Sequence, residues 1–445
     1  MSKSPATDLP ALLGGQAISS FANFPRDRVA VSERCVEAGV RSLREGAWSM
    51  FTSPEVAEFE AEFAHFVGAK HAVLVNSCTT AILASLMALG IGPGDYVALP
   101  AYTYIGSCMP VLALGARPVL IDIDPTTASM DLAALREALR GYPIRAVIHV
   151  HLFGLCKNAV EVTELCRSHG AAYVADCAQF LGDRCATSFL VDSGPACFSF
   201  GESKLLRLGE GGAVATNSDE LAERLRLARH EGELWTRLRS SRLVGALPTP
   251  DDILGGLASV QQGLNLRPLA IIAAIGRVML EELPARLNKL ATNAERLTRS
   301  LAKHSEVILP LPGPRTWWTF PLCINPVHVE RDVVLAAMLA EGVPVGIHFP
   351  RLVADHPIAK DCGAVIPSPT LGAQRFADSH LVLPIYESLG SEHIDALSDA
   401  LAKVLRNGER LRLPESKSRA RRLLTTRSIS ELCDGLFIFL EDDHG

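Results

Sequence analysis

A chain of 445 residues, 48% apolar and 21% charged, has enough material for one large domain and a smaller one. Its formal net charge of −6 offers no basic field to attract nucleic acid. The apolar runs "AILASLMALGIG" and "PLAIIAAIG" are too short to span a membrane.

The opening stretch "MSKSPATDLPALLGGQ" lacks the long apolar core of a signal peptide. The 11 cysteines form no C-x-x-C pair and no zinc-spaced Cys/His cluster, so no metal is expected. Several lie inside apolar runs, among them Cys197 and Cys323, as free thiols in a reducing cytoplasm do.

From about residue 55 the chain alternates helix and strand patterns. "EVAEFEAEFAHFVG" reads as an amphipathic helix, "HAVLV" as a buried strand and "NSCTTAILASLMALG" as the next helix. "DYVALP" and "RPVLIDID" are strands, with "MPVLALG" ending the helix between them. "DLAALREALR" is a helix, "AVIHVHLFG" a strand, "AVEVTELCRSHG" a helix and "AAYVADCAQ" a strand. "ACFSF" and "GGAVATN" are strands, and "SDELAERLRLARHEG" opens a capped helix. This rhythm predicts an α/β fold with a mostly parallel sheet flanked by helices. Ligands then belong at the carboxyl ends of the strands.

Residues 236–262 read as a mobile surface segment. A long helix follows, with Pro284 as a candidate kink. Beyond about residue 305 the pattern becomes α+β: strands at "VILPLP", "WWTFPLCIN" and "VPVGIHF", helices over 330–341 and "SEHIDALSDALAKVL". The expected division is a large domain over 1–300, a smaller C-terminal domain over 301–407 and a tail over 408–445. The tail is basic in "ESKSRARRLLTTRS" and reads as a solvated charged segment.

Three strand ends carry candidate chemistry. "VLVNSCTTA" is a strand-to-helix turn with Ser77, Cys78, Thr79 and Thr80, where free N–H groups and hydroxyls suit a phosphate, though a plain helix cap has the same pattern. In "VADCAQ", Asp176 ends a buried strand, where a carboxylate needs a cation such as a protonated pyridine nitrogen; a helix-capping Asp is the bland alternative. In "FSFGESKLLRLGEGGAV", Lys204 stands at the mouth of an apolar strand, where a desolvated amine can form a Schiff base; a solvated loop lysine is the default reading. A phosphate turn, then an acid, then Ser199 and Lys204 is the set of parts that pyridoxal 5'-phosphate (PLP) requires.

These residues, with "LGIGPGDYVALPAYTYIGSCMPVLALGARPVLIDIDP", "VIHVHLFG", "GLNLRPLAIIAAIG" and "LVLPIYESLGSEHIDAL", resemble the DegT/DnrJ/EryC1/StrS aminotransferases over roughly residues 10–407. The resemblance implies a fold type I PLP enzyme and a ping-pong transamination from glutamate or glutamine to a keto-sugar or keto-cyclitol, in aminosugar, aminocyclitol or antibiotic biosynthesis. It implies Lys204 as the cofactor lysine and as general base and acid, and Asp176 on the pyridine nitrogen. Gln179 would lie near the ring hydroxyl; Ser199, Ser77, Cys78 and Thr79 would hold the phosphate. Tyr104 would stack on the ring, with Tyr102 as the fallback. "GLNLR" would enter a neighbouring subunit's site, so that Asn265 or Arg267 acts across a homodimer with shared active sites. "K-L-x-x-x-GEGG" is similar to the cyclitol and aminohydroxybenzoate branch. Cys78 departs from the glycine usual in the phosphate turn; a side chain there would either narrow the cup or leave the backbone N–H still able to serve. Two readings compete: a dehydratase of the same fold, where histidine commonly replaces the lysine, and a non-catalytic sensor or assembly protein.

Overall fold

The computed structural model describes residues 8–25, 31–46, 48–234, 258–325 and 327–426. Helix α1 (Glu33–Glu45) starts at Ser32, whose side chain accepts from the Cys35 N–H, and stops at Gly46 in a left-handed conformation. Helix α2 (Glu55–Val67) buries Val56, Phe59, Phe63 and Val67, one face at helical spacing. The α/β alternation follows: β1 (His71–Val75), α3 (Cys78–Ala88), β2 (Tyr96–Pro100), α4 (Met109–Ala113), β3 (Arg117–Ile121), α5 (Leu132–Gly141) and β4 (Ile144–Val150). Then come α6 (Ala159–His169), β5 (Ala172–Asp176), α7 (Arg184–Ser193), β6 (Ala196–Ser199), β7 (Gly212–Thr216) and α8 (Asp219–Arg229).

The seven strands form one sheet in the order β1-β7-β6-β5-β4-β2-β3. Only β7 is antiparallel, to β1 on one side and β6 on the other. Strand interiors are buried without alternation, as the apolar runs predict for a sheet covered on both faces. The carboxyl ends of the six parallel strands therefore share one edge, and β7 begins at that edge.

Helix α9 (Ala270–Leu301) runs unbroken with Pro284 inside it, and α1 and α2 pack along it. The remaining elements are β8 (Val307–Ile308), β9 (Phe320–Ile324), α10 (Arg331–Ala340), α11 (Pro357–Asp361), α12 (Leu371–Ser379), β10 (His380–Leu383), α13 (Ser391–Arg406), α14 (Gly408–Leu411) and α15 (Pro414–Thr426). They build a second, antiparallel sheet in the order β10-β9-β8.

The predicted strand "VPVGIHF" is not one. It makes a single bridge, Gly346 to Val382. The His348 carbonyl accepts from the Tyr102 hydroxyl, the His348 N–H donates to His380 Nε2, and Phe349 turns left-handed at φ 48°, so no ladder continues. Strand β10, not expected from the sequence, pairs with β9 instead.

The first residues are strapped to two helices beside this second sheet, α10 and α13. Glu341, fully buried, accepts from the backbone N–H groups of Ala11 and Ile18 and pairs with Lys403 Nζ at 3.0 Å. The same ammonium donates to the Gln16 carbonyl. The segment read as a charged tail is helical as far as residue 426, and α15 packs on α10. Most of the segment predicted as mobile, and residues 427–445, lie outside the described residues.

Candidate active site at the carboxyl ends of the strands

The first wall is the turn from β1 into α3. Ser77 caps the helix: its Oγ accepts from the Thr80 N–H at 3.1 Å, and the Ser77 N–H donates back to Thr80 Oγ1 at 3.0 Å. The N–H groups of Cys78 and the half-buried Thr79 precede the first intrahelical donor, the Ala81 N–H, so the helix itself supplies them no acceptor, the geometry that suits an anion. Gly212 backs this turn. A Cβ there would stand 2.5 Å from the Ser77 carbonyl carbon and 2.7 Å from the Cys78 nitrogen, so β7 reaches the turn only with glycine. Gly212 also pairs with Ser199, which brings that half-buried serine, at the end of β6, to the same corner.

Cys78 does not narrow the cup. Its side chain is buried, with Sγ 3.6 Å from the Cys197 carbonyl and 3.9 Å from Asp176 Oδ1. Burial, then the Asp176 charge, pushes this thiol well above its usual range. The sulfur is therefore an inert contact packed into the sheet.

Asp176 ends β5 and is 3% exposed. Oδ2 accepts from Ser107 Oγ at 2.7 Å, and Oδ1 accepts from the Ala178 N–H at 3.0 Å. Burial raises its pKa above the ordinary carboxylate value, against those hydrogen bonds and the Lys204 charge, which favour the ionised form. A cation placed beside it would be strongly favoured.

Lys204 follows β6 in a loop where its N–H donates to the Gly201 carbonyl. Its Nζ lies 4.4 Å from the centre of the Trp318 ring. Trp318, just before β9, donates its indole N–H to the Ser203 carbonyl at 2.5 Å and stacks on His348 at 4.9 Å. His348 is fully enclosed; burial first, then His380 and Lys204, hold its pKa down to about 3, so it is a neutral ring.

Gln179 is buried, and its Oε1 accepts from the Phe153 N–H at 2.5 Å. That bond holds Phe153 at φ 53° and leaves the amide N–H groups as the end able to meet a ligand oxygen. Tyr104 is 59% exposed, its ring 5.8 Å from Phe349. Tyr102, the fallback for ring stacking, is a core residue: it is wholly buried and its hydroxyl donates to the His348 carbonyl.

Asn265 is exposed, its backbone bridged to His230. Arg267 is held by Glu231 at 2.7 Å. It also lines a cavity of about 100 Å³ with Asn76, Gly211 and Gly212, beside its own chain's β1–α3 turn.

Ser107, Trp318, His348 and Gly212 were not singled out from the sequence. Only Ser107 carried a local signal, three residues after Tyr104 on one tight turn. Among the described residues no His, Cys, Asp and Glu group is placed to hold a metal, and no helix is long and apolar enough to cross a membrane.

Comparison with known proteins gives this geometry its context. A family model for the DegT/DnrJ/EryC1/StrS aminotransferases matches residues 31–402. A GDP-perosamine synthase of Caulobacter vibrioides is 32% identical over 377 residues, covering 80% of this chain and 92% of that protein. The crystal structure of S. venezuelae DesV, in complex with a ketimine intermediate, is 30% identical, with a TM-score of 0.71 over 83% of this chain and 94% of that one. A DegT/DnrJ/EryC1/StrS aminotransferase of Brucella abortus is 26% identical, with a TM-score of 0.72 over the same shares. The chain belongs to the DegT/DnrJ/EryC1/StrS family and is a PLP-dependent aminotransferase of fold type I.

Proposed function

We propose that the enzyme moves an amino group from glutamate or glutamine to the carbonyl of a keto-sugar, in aminosugar biosynthesis. The observation that carries the reading is the convergence of an acid, an amine and a phosphate cup at one sheet edge. The 32% identity to a GDP-perosamine synthase supports a sugar acceptor over a keto-cyclitol.

The residues suit PLP. The cradle at Gly212, which a Cβ would fill, leaves the turn at Ser77, Cys78 and Thr79 open to a phosphate, with Ser199 beside it. The buried Asp176 carboxylate is matched to a cationic ring nitrogen. Gln179 offers amide N–H groups to a ring oxygen, and Tyr104 an exposed aromatic face. When bound, PLP supplies an electron sink that lets a carbon–hydrogen bond next to nitrogen ionise. Lys204 holds the cofactor at rest, and its amine takes and returns the proton during transfer. The Trp318 ring, stacked on His348, covers one side of that half-buried amine.

Two copies are proposed to pair. Val36, Val40 and Leu43 line the outer face of α1 with Trp48 and Leu269 nearby, all exposed in the single chain. Asn265 of such a pair would reach the neighbouring site. All ten cysteines among the described residues are unpaired, which fits a reducing cytoplasm.

The reading is tested by supplying the PLP-loaded enzyme with glutamate or glutamine and then with nucleotide-linked keto-sugars and free keto-cyclitols. Amine formation on a keto-sugar supports it; turnover confined to keto-cyclitols, or loss of a hydroxyl without amine transfer, would overturn it.

A further inference from the structure

The surroundings of Asp176 hold its carboxylate in one orientation. Its two oxygens have different donors: the Ala178 N–H on Oδ1 and the Ser107 hydroxyl on Oδ2, at 2.7 Å. Two donors on opposite oxygens fix the plane of a carboxylate, where one would leave it free to rotate. The Cys78 thiol, 3.9 Å from Oδ1, is a weak third contact on the oxygen that Ala178 already serves. Nothing else described replaces Ser107 on Oδ2.

Ser107 is itself held. It is 3% exposed, and its Oγ lies 3.2 Å from the hydroxyl of Thr103, which is 1% exposed. Because the Ser107 proton goes to Asp176, Thr103 donates to Ser107, and the chain of hydrogen bonds runs in one direction toward the carboxylate. The Ser107 N–H donates to the Tyr104 carbonyl at 3.0 Å, closing the turn. Gly106 leaves room for the Tyr104 ring to lie against this turn: a Cβ there would stand 2.6 Å from that ring. One tight turn thus carries an exposed aromatic face and the hydroxyl that aims the acid.

We propose that Ser107 is a positioning residue, which fixes the Asp176 carboxylate against the cofactor's ring nitrogen and ties that carboxylate to the turn that presents Tyr104. The inference rests on the reading that Asp176 faces the ring nitrogen. A carboxylate that loses its Oδ2 donor in a buried site is less readily kept ionised and less well aimed. The ring nitrogen then holds its proton less firmly.

The test uses the full chain as wild type, Ser107→Cys and Ser107→Ala, each loaded with PLP carrying ¹⁵N in the ring. The readouts are the dissociation constant of PLP and the ¹⁵N chemical shift at one pH, with thermal melts of the unloaded proteins as a folding check. Loss of the hydroxyl in Ser107→Ala should weaken PLP by roughly ten- to a hundredfold and move the ¹⁵N signal toward the unprotonated position. Ser107→Cys, a bulkier but weaker donor, should fall between the two. That order follows donor strength, whereas a purely packing role would follow side-chain volume. Wild-type affinity and ¹⁵N shift in either variant overturns the proposal, and the cysteine variant decides the matter if the alanine protein does not fold. An unprotonated ring nitrogen in the wild type would instead overturn the reading of Asp176 on which the proposal stands.

Discussion

Trp318 and Lys204 meet across the seam between the two sheets. The ammonium lies 4.4 Å from the centre of the indole ring, while the indole N–H grips the carbonyl of Ser203, the residue before the lysine. The Lys204 amine, proposed to hold the cofactor, is thus braced by a side chain just before β9. Trp318→Phe keeps an aromatic face but loses the N–H and should cost about 0.5–1.5 kcal/mol of stability. Trp318→Ala should cost about 3–5 kcal/mol, because the ring is 94% buried and leaves a cavity. Urea unfolding of both proteins measures the two steps, and equal losses would contradict the separate role given to the N–H.

Gly212 sets how closely β7 approaches the β1–α3 turn, the proposed phosphate site. In Gly212→Ala the new methyl meets the Ser77 backbone at 2.5 Å, with no flexible side chain to yield. The turn must shift, at about 1–3 kcal/mol, and the cup opens. PLP affinity should fall by about tenfold or more. Equilibrium dialysis against PLP reads this directly, and an unchanged dissociation constant would show that the turn is not the phosphate site.

The strap at Glu341 and Lys403 is a buried ion pair whose carboxylate also holds two backbone N–H groups. Lys403→Met leaves that carboxylate without its cation and should cost about 3–5 kcal/mol. Limited proteolysis should then cut the first 20 or so residues earlier than in the wild type. Stability and cleavage unchanged from wild type would mean that the strap contributes nothing.

Acid should destabilise the protein in a particular window. Burial holds His149 and His380 down to about 4 and His151 well below its usual value. In the unfolded chain each takes up a proton near pH 6.5. Between about pH 6.5 and 4 the unfolded state therefore binds more protons, so stability is greatest above this window and falls as pH drops through it. Each such histidine contributes about 1.4 kcal/mol per pH unit there. His149→Asn should flatten the loss between pH 6 and 5 by that amount in urea titrations. An equally steep loss in the variant would count against a buried neutral imidazole at this position.

Local patterns carried the parts of the fold and site that depend on neighbours in sequence. Asp176 could be read as a strand end because four apolar or aromatic positions precede it, and Ser77 as a helix start because hydroxyls follow an apolar strand. Lys204 stood out by its place after "ACFSF". What depends on distant contacts was not legible. Ser107 faces a carboxylate 69 positions later, and Trp318 reaches a carbonyl 115 positions earlier. Tyr102 and Tyr104 differ only by which side of a short turn they take, so composition could not separate the buried one from the exposed one. The failed strand at 343–349 has strand-like residues, but its backbone is taken up by Tyr102 and His380, a competition no local pattern records.

Lys204 is proposed as the amine that holds PLP and moves the proton in amino transfer. The direct measurement is the ultraviolet–visible spectrum of the PLP-loaded protein before and after glutamate or glutamine, for wild type and Lys204→Ala. The wild type should show a lysine-bound cofactor band that disappears with one donor. Lys204→Ala should show no such band, with a matching thermal melt and turnover reduced by at least about 10²–10⁴-fold. The same band and the same donor response in Lys204→Ala would contradict this assignment.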